Sequence, residues 1–198
     1  YATTIPDLLK KYLKKTSYKS LLDLGCGDGS MLYSLKKNGY FKGKNIYGVD
    51  LSPKSIELVK KIDPKIHAYV DDVENIKNIK NNSVDFIIST MVIEHVDDKK
   101  LLKTIDKVLK NKGVAYITTV FKKPYGWYYN RRDGKWVMDV THLREYAKDE
   151  ELMDLITLEL SQFMENHLQE DDMSLIICKF GAEQFAALES RSTNWEFK

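Results

Sequence analysis

Apolar residues along the first two thirds of the chain alternate between two spacings, one suited to helices and one to strands. Ile5, Leu8, Leu9, Tyr12 and Leu13 fall on one stripe with lysines opposite, which predicts a surface helix over residues 5–15. The compact run Leu21 to Leu24 predicts a strand that ends in glycines. Helical spacing returns at Met31, Leu32 and Leu35 until Asn38-Gly39 stops it. A second strand is expected over about 45–49. Ser52 then caps a helix with Pro53 in its first turn and Ile56, Leu58, Val59 and Ile62 on its apolar face, until Asp63-Pro64. A third strand follows over about 66–70. Strand, helix, strand, helix, strand argues a parallel α/β sheet with right-handed crossovers.

Residues 71–83 are polar and rich in Asn, and predict a loop. Val84 to Ser89 reads as a short buried strand. Asp97-Asp98 open a helix carried by Leu101, Leu102, Ile105 and Leu109 and ended by Asn111-Lys112-Gly113, and Val114 to Val120 predicts a fifth strand. Lys122 to Tyr146 has no long apolar period. A helix is expected from Lys148 through Leu152, Ile156 and Leu160 to about His167, and Ser174 to Phe180 has strand character. Residues 1–180 thus read as one domain, with 181–198 a tail whose structure the pattern leaves undefined.

The glycine turn changes the picture from fold to chemistry. Gly25, Gly27 and Gly29 let the backbone take positive φ and let a ligand lie on the main chain, where the next helix presents free N–H groups. The dinucleotide fingerprint would place a third glycine where Ser30 stands, which argues against NAD. No Lys-Thr or Lys-Ser pair follows, which excludes a triphosphate loop. Asp50, at the end of Tyr47-Gly48-Val49, places a carboxylate where such folds bind two ribose hydroxyls.

The stretch Leu22-Asp23-Leu24-Gly25-Cys26-Gly27-Asp28-Gly29 resembles motif I of the class I S-adenosylmethionine-dependent methyltransferases. Asp50 with Leu51-Ser52-Pro53, Asp72-Val73-Glu74-Asn75, and Ser83-Val84-Asp85-Phe86-Ile87-Ile88 followed by Glu94-His95-Val96 are similar to further segments of that family. The likeness spans roughly residues 18–150. It implies a Rossmann-like fold, a mostly parallel seven-stranded sheet flanked by helices. The strand that the family would place ahead of Ser174 is not located, so the last hairpin is open to being atypical.

The resemblance implies S-adenosylmethionine as cofactor, held by Asp23, Gly25, Cys26, Gly27, Asp50, Leu51, Asp72, Val73 and Ser89. Asp23 reaches the cofactor's amino group or only braces the turn, and Asp72 is preferred to its neighbour Asp71 for the adenine amino group. Glu94-His95 resembles the quinone-biosynthesis O-methyltransferases, in which a base at His95 would deprotonate a hydroxyl; packing beneath a lid is the alternative. His142 belongs to a segment, His142-Leu143-Arg144-Glu145-Tyr146, also similar to that branch, and is a second candidate for catalysis. Arg144 is a candidate for an acidic group on the acceptor or for an ion pair. Trp127, Tyr128 and Arg131, in an aromatic and basic segment, would suit a planar or anionic acceptor. No metal is expected, since Glu94 and His95 alone offer too few ligands.

Composition narrows the partner. A formal charge of +2 argues against a generic polyanion binder while allowing a local basic patch. The resemblance to O-methyltransferases implies an oxygen of a small molecule as the acceptor, with RNA or protein methylation, or a scaffold that binds the cofactor without turnover, as alternatives. Cys26 and Cys178 fit no metal spacing, and no apolar run is long enough to span a membrane, so a cytoplasmic protein is expected. Oligomeric state is not legible.

Overall fold

The computed structural model describes residues 4–120, 129–132, 135–138, 141–144, 146, 151–152, 154–155, 174–180, 190–191 and 194–195. In chain order its elements are α1 (Asp7–Lys15), β1 (Ser20–Leu24), α2 (Ser30–Lys37), β2 (Asn45–Asp50), α3 (Pro53–Ile62), β3 (His67–Val70) and β4 (Val84–Thr90). A 3-10 turn (Ile93–His95), α4 (Asp98–Val108) and β5 (Leu109–Val120) follow, then the strands β6 (Tyr129–Arg132), β7 (Lys135–Met138), β8 (Ser174–Phe180), β9 (Ser190–Arg191) and β10 (Asn194–Trp195).

Six strands form a sheet in the order β3-β2-β1-β4-β5-β8, every neighbour parallel. Successive residues of a strand point to opposite faces, so the sheet carries two cores. Leu21, Phe86, Ile88 and Tyr116 face α1, α2 and α3 through Leu9, Leu13, Leu32, Leu35, Ile56 and Val59. Their neighbours Leu22, Ile87 and Ile117 face α4 through Leu101, Leu102 and Ile105. Each such side chain taken from water contributes about 1.5–3 kcal/mol.

The expected elements recur with shifted ends. Ser52 caps α3 through its side chain, which accepts from the Ser55 N–H at 3.3 Å, with Pro53 in the first turn. Asp97 caps α4 in the same way through the Lys100 N–H at 3.1 Å. The helix expected to run through Leu109 stops at Val108, because Leu109 is already extended (φ −69, ψ 139) and pairs with Val84. The register then jumps to Phe86 opposite Val114, and Lys112 in this excursion has a left-handed φ of 63.

No seventh strand joins this sheet among the described residues. β8 lies parallel to β5, in register from Val114 opposite Ser174 to Val120 opposite Phe180. Within the aromatic and basic segment, β6 and β7 pair as an antiparallel hairpin that the pattern did not anticipate, with Arg131 opposite Trp136. Trp127 and Tyr128 lie outside the described residues. Glu151, Leu152, Asp154 and Leu155 are helical, as expected there, and Leu152 is buried in the α4-side core.

Candidate functional site

The strand order reverses between β1 and β4, and a cleft of about 660 Å³ opens at the carboxyl ends of the strands there. This is where open parallel sheets bind ligands. Asp23, Gly25, Cys26, Gly27, Asp50, Leu51, Asp72 and Val73 all line it.

Its floor is the glycine turn. The N–H groups of Gly25 and Cys26 both donate to the Val49 carbonyl, at 2.8 and 2.9 Å, and bind the turn to the end of β2. One carboxylate oxygen of Asp50 accepts from the Gly27 N–H and the other from the Ser52 N–H, each at 2.9 Å. The carboxylate is thus fixed by two backbone donors and keeps lone pairs directed to the cleft. Gly25 has φ +81, and a Cβ there would stand 2.5 Å from Val92 Cγ2. Gly27, at φ +52, would present a Cβ to open space. The first glycine is required by packing; the second keeps the floor clear.

Asp23 is 1% exposed, and neither carboxylate oxygen has a partner among the described residues. Burial first, and the Asp50 charge second, push its pKa up to about 7. Burial and the same two carboxylates also raise the Cys26 thiol. An unpaired buried acid lining a cleft suits a cationic ligand group.

The two neighbouring acids after β3 separate cleanly. Asp71 is buried and accepts from the N–H groups of Asp72, Lys77 and Asn78 and from Asn78 Nδ2, at 2.8–2.9 Å, so it organises the loop. Asp72 is exposed toward the cleft. One of its oxygens takes the Glu74 N–H at 2.8 Å.

Thr90, Met91, Val92, His95 and Val96 close the other side. Met91 has a left-handed φ of 57, a strained position for a non-glycine residue, and its N–H bonds to the Thr118 carbonyl at 2.9 Å. Ser89 is fully buried just behind this wall, off the lining. The sequence reading left Thr90, Val92 and Val96 out of the site; residues after a buried strand carry no pattern that separates lining from support.

Residues 141–144 and 146 fold back onto 93–98. The Leu143 N–H donates to the Glu94 carbonyl at 2.8 Å, Arg144 forms an ion pair with the buried Asp98, and the Tyr146 hydroxyl donates to Asp98 at 3.3 Å. Arg144 is therefore engaged by the protein itself. This fold-back sets the His142 ring 4.8 Å from that of His95, edge to face.

His95 Nδ1 lies 3.1 Å from both the carbonyl and the hydroxyl oxygen of Thr141. A carbonyl only accepts, so it selects the tautomer with Nδ1 protonated and leaves Nε2 basic. Glu94 is fully buried beneath the pair; one oxygen accepts from the Thr119 hydroxyl at 3.0 Å, and burial raises its pKa. Ligand atoms of Glu94, His95 and His142 lie within 4.8 Å of one another, near enough to hold one metal ion between them.

Residues 22–117 match the family model of a methyltransferase domain. O-methyltransferase 3 of Dictyostelium discoideum is 31% identical over 140 residues, 65% of this chain and 28% of that protein. A ubiquinone biosynthesis O-methyltransferase of Rickettsia typhi is 25% identical over 163 residues, 77% of this chain and 64% of its own length. The chain thus spans less than two thirds of either relative. Among solved structures, the PH0226 protein of Pyrococcus horikoshii OT3 superposes with a TM-score of 0.54 at 20% identity, over 77% of this chain and 76% of that one, and shares the fold. The glycine turn, Asp50 and the cleft at the strand reversal all lie on the part of the chain that matches, and over residues 22–117 the chain is similar to methyltransferase domains.

Proposed function

We propose that the cleft binds S-adenosylmethionine and that the chain transfers its methyl group to an oxygen of a small-molecule acceptor. The observation that carries the reading is the Asp50 carboxylate, held at both oxygens by backbone donors and facing the glycine turn. The two ribose hydroxyls would bond to Asp50, the adenine would lie between Leu51 and Val73 with its amino group toward Asp72, and Asp23 would meet the cationic amino-acid end. When bound, the cofactor supplies an electrophilic methyl on a sulfonium.

The chain's own task is positioning and proton removal. His95 Nε2 would take the proton of the acceptor's hydroxyl, freeing that oxygen to receive the methyl group that the bound cofactor would supply. The ubiquinone biosynthesis O-methyltransferase relative supports an oxygen of a small molecule as acceptor.

Calorimetric titration with S-adenosylmethionine and S-adenosylhomocysteine, with NADH as control, tests the cofactor. Binding of the first two alone is expected. A methyl-transfer screen beginning with phenols and organic acids follows. Tight cofactor binding with no transfer to any acceptor class, including RNA and protein, would favour a non-catalytic scaffold instead.

A further inference from the structure

The formal charge of +2 averages over an uneven distribution. In a parallel sheet with crossover helices, the strand amino ends, the helix carboxyl ends and the loops joining them share one edge, opposite the cleft. The last turns of α1, α2 and α3 each end in a lysine pair, Lys14-Lys15, Lys36-Lys37 and Lys60-Lys61. Helix dipoles favour cations there, and that effect would account for the three pairs alone. It does not account for the loops. Exposed Lys42, between α2 and β2, and exposed Lys65, between α3 and β3, add to the same edge.

The elements meet closely enough to make one surface. Lys36 Nζ, on α2, reaches the carbonyl of Ile62, the last residue of α3, at 2.6 Å and Asp63, just past it, at 3.2 Å. Lys44 lies over the Tyr18 ring, 4.3 Å from its centroid, ahead of β1. Two carboxylates on this side are already engaged, Asp63 by Lys36 at 3.2 Å and Asp85 by Lys110 at 2.8 Å. Half-buried Tyr40 and Phe41 sit in the loop beside Lys42.

We propose that this lysine edge docks a strand of RNA through its phosphates, with Tyr40 and Phe41 as flanking surfaces on which bases stack. Lysines on separate elements match a repeated charge, and aromatic faces among them suit bases of any sequence. An anionic membrane fits less well, because charge-driven membrane binding also uses inserted apolar groups. The exposed large apolar residues among those described, Leu51, Val70, Met91 and Leu143, follow or end strands at the cleft end or border Glu94. Because the lysine edge and the cleft stand at opposite ends of the strands, the docked strand is a tether and not the methyl acceptor. The inference does not rest on the cofactor or acceptor reading.

The test is fluorescence anisotropy with a labelled oligouridine strand of about twenty nucleotides, long enough to span such a surface, on the full chain. The double variant Lys42→Glu/Lys61→Glu is compared with Lys99→Glu/Lys103→Glu, an equal charge change on exposed positions of α4. Circular dichroism and thermal melting show that both variants fold. The expected result is binding that weakens at least about tenfold in the first variant and less than about twofold in the second, with the salt dependence of log K reduced by about 1.4 for two lost phosphate contacts. No binding by the wild-type chain at physiological salt, or equal losses in both variants, overturns the proposal. So does tighter binding to phosphatidylglycerol vesicles than to RNA that is lost in the first variant, which would assign the edge to lipid.

Discussion

Asp23, one residue before the end of β1, and Asp50, the last residue of the neighbouring β2, line one cleft, yet they are set up for different tasks. Asp50 is anchored by two N–H donors, and Asp50→Ala should weaken S-adenosylmethionine binding by about 1–3 kcal/mol, measured by calorimetry. Unchanged affinity would remove it from the ribose. Asp23 titrates from an ordinary 3.8 when unfolded and near 7 when folded, so the native state holds the extra proton between those values. Its stabilisation is complete below about pH 4 and is lost as pH rises to about 7. Asp23→Asn should therefore melt higher than the wild type at pH 8, with the gap closing toward pH 4. A gap independent of pH would show that Asp23 titrates normally. At His95, alanine should leave cofactor affinity intact and slow transfer by about 10²–10⁴-fold, and the wild-type rate should persist in chelator. Loss of rate in chelator would make His95 a ligand of a cation, together with Glu94 and His142, in place of a base.

Among elements, the glycine turn separates packing from access. Gly25→Ala meets Val92 and a left-handed φ together, and should cost about 2–4 kcal/mol in denaturant unfolding. Gly27→Ala meets only the backbone term, about 1–2 kcal/mol, but fills the floor, so it should lose cofactor affinity while staying folded. Equal stability losses in the two would contradict this division. The fold-back of residues 141–144 and 146 depends on a similar local contact. Arg144→Ala leaves the buried Asp98 carboxylate, 6% exposed, without its cation while keeping the Lys99 N–H and the Tyr146 hydroxyl, and should destabilise by about 3–5 kcal/mol in the same assay.

Across the whole molecule, the legible parts were those that chain rhythm or local chemistry specifies. Helix caps at Ser52 and Asp97, the strand alternation and the glycine turn each act over a few residues, so the order of elements could be read in sequence. The helix end near Leu109 could not, because an apolar residue satisfies a helix stripe and a strand face equally. The nearness of Glu94, His95 and His142 arises from a fold-back across 46 and more positions, which no periodicity reports. The lysine edge was hidden for a related reason: composition sums charge over the chain, while the parallel topology sorts it by end.

That topology also divides the sheet into two wings that meet at the cleft. β1 to β3 grow outward in one direction and β4, β5 and β8 in the other, and the chain passes from one wing to the other through the loop organised by Asp71. A molecule seated on Asp50 and on the Thr90–Val92 wall touches both wings at once, as a rivet through two plates. Its free energy then counts against separation of β1 from β4, and hydrogen exchange along that pair of strands should slow in proportion to ligand concentration, while the outer edge at β3 keeps its own rate.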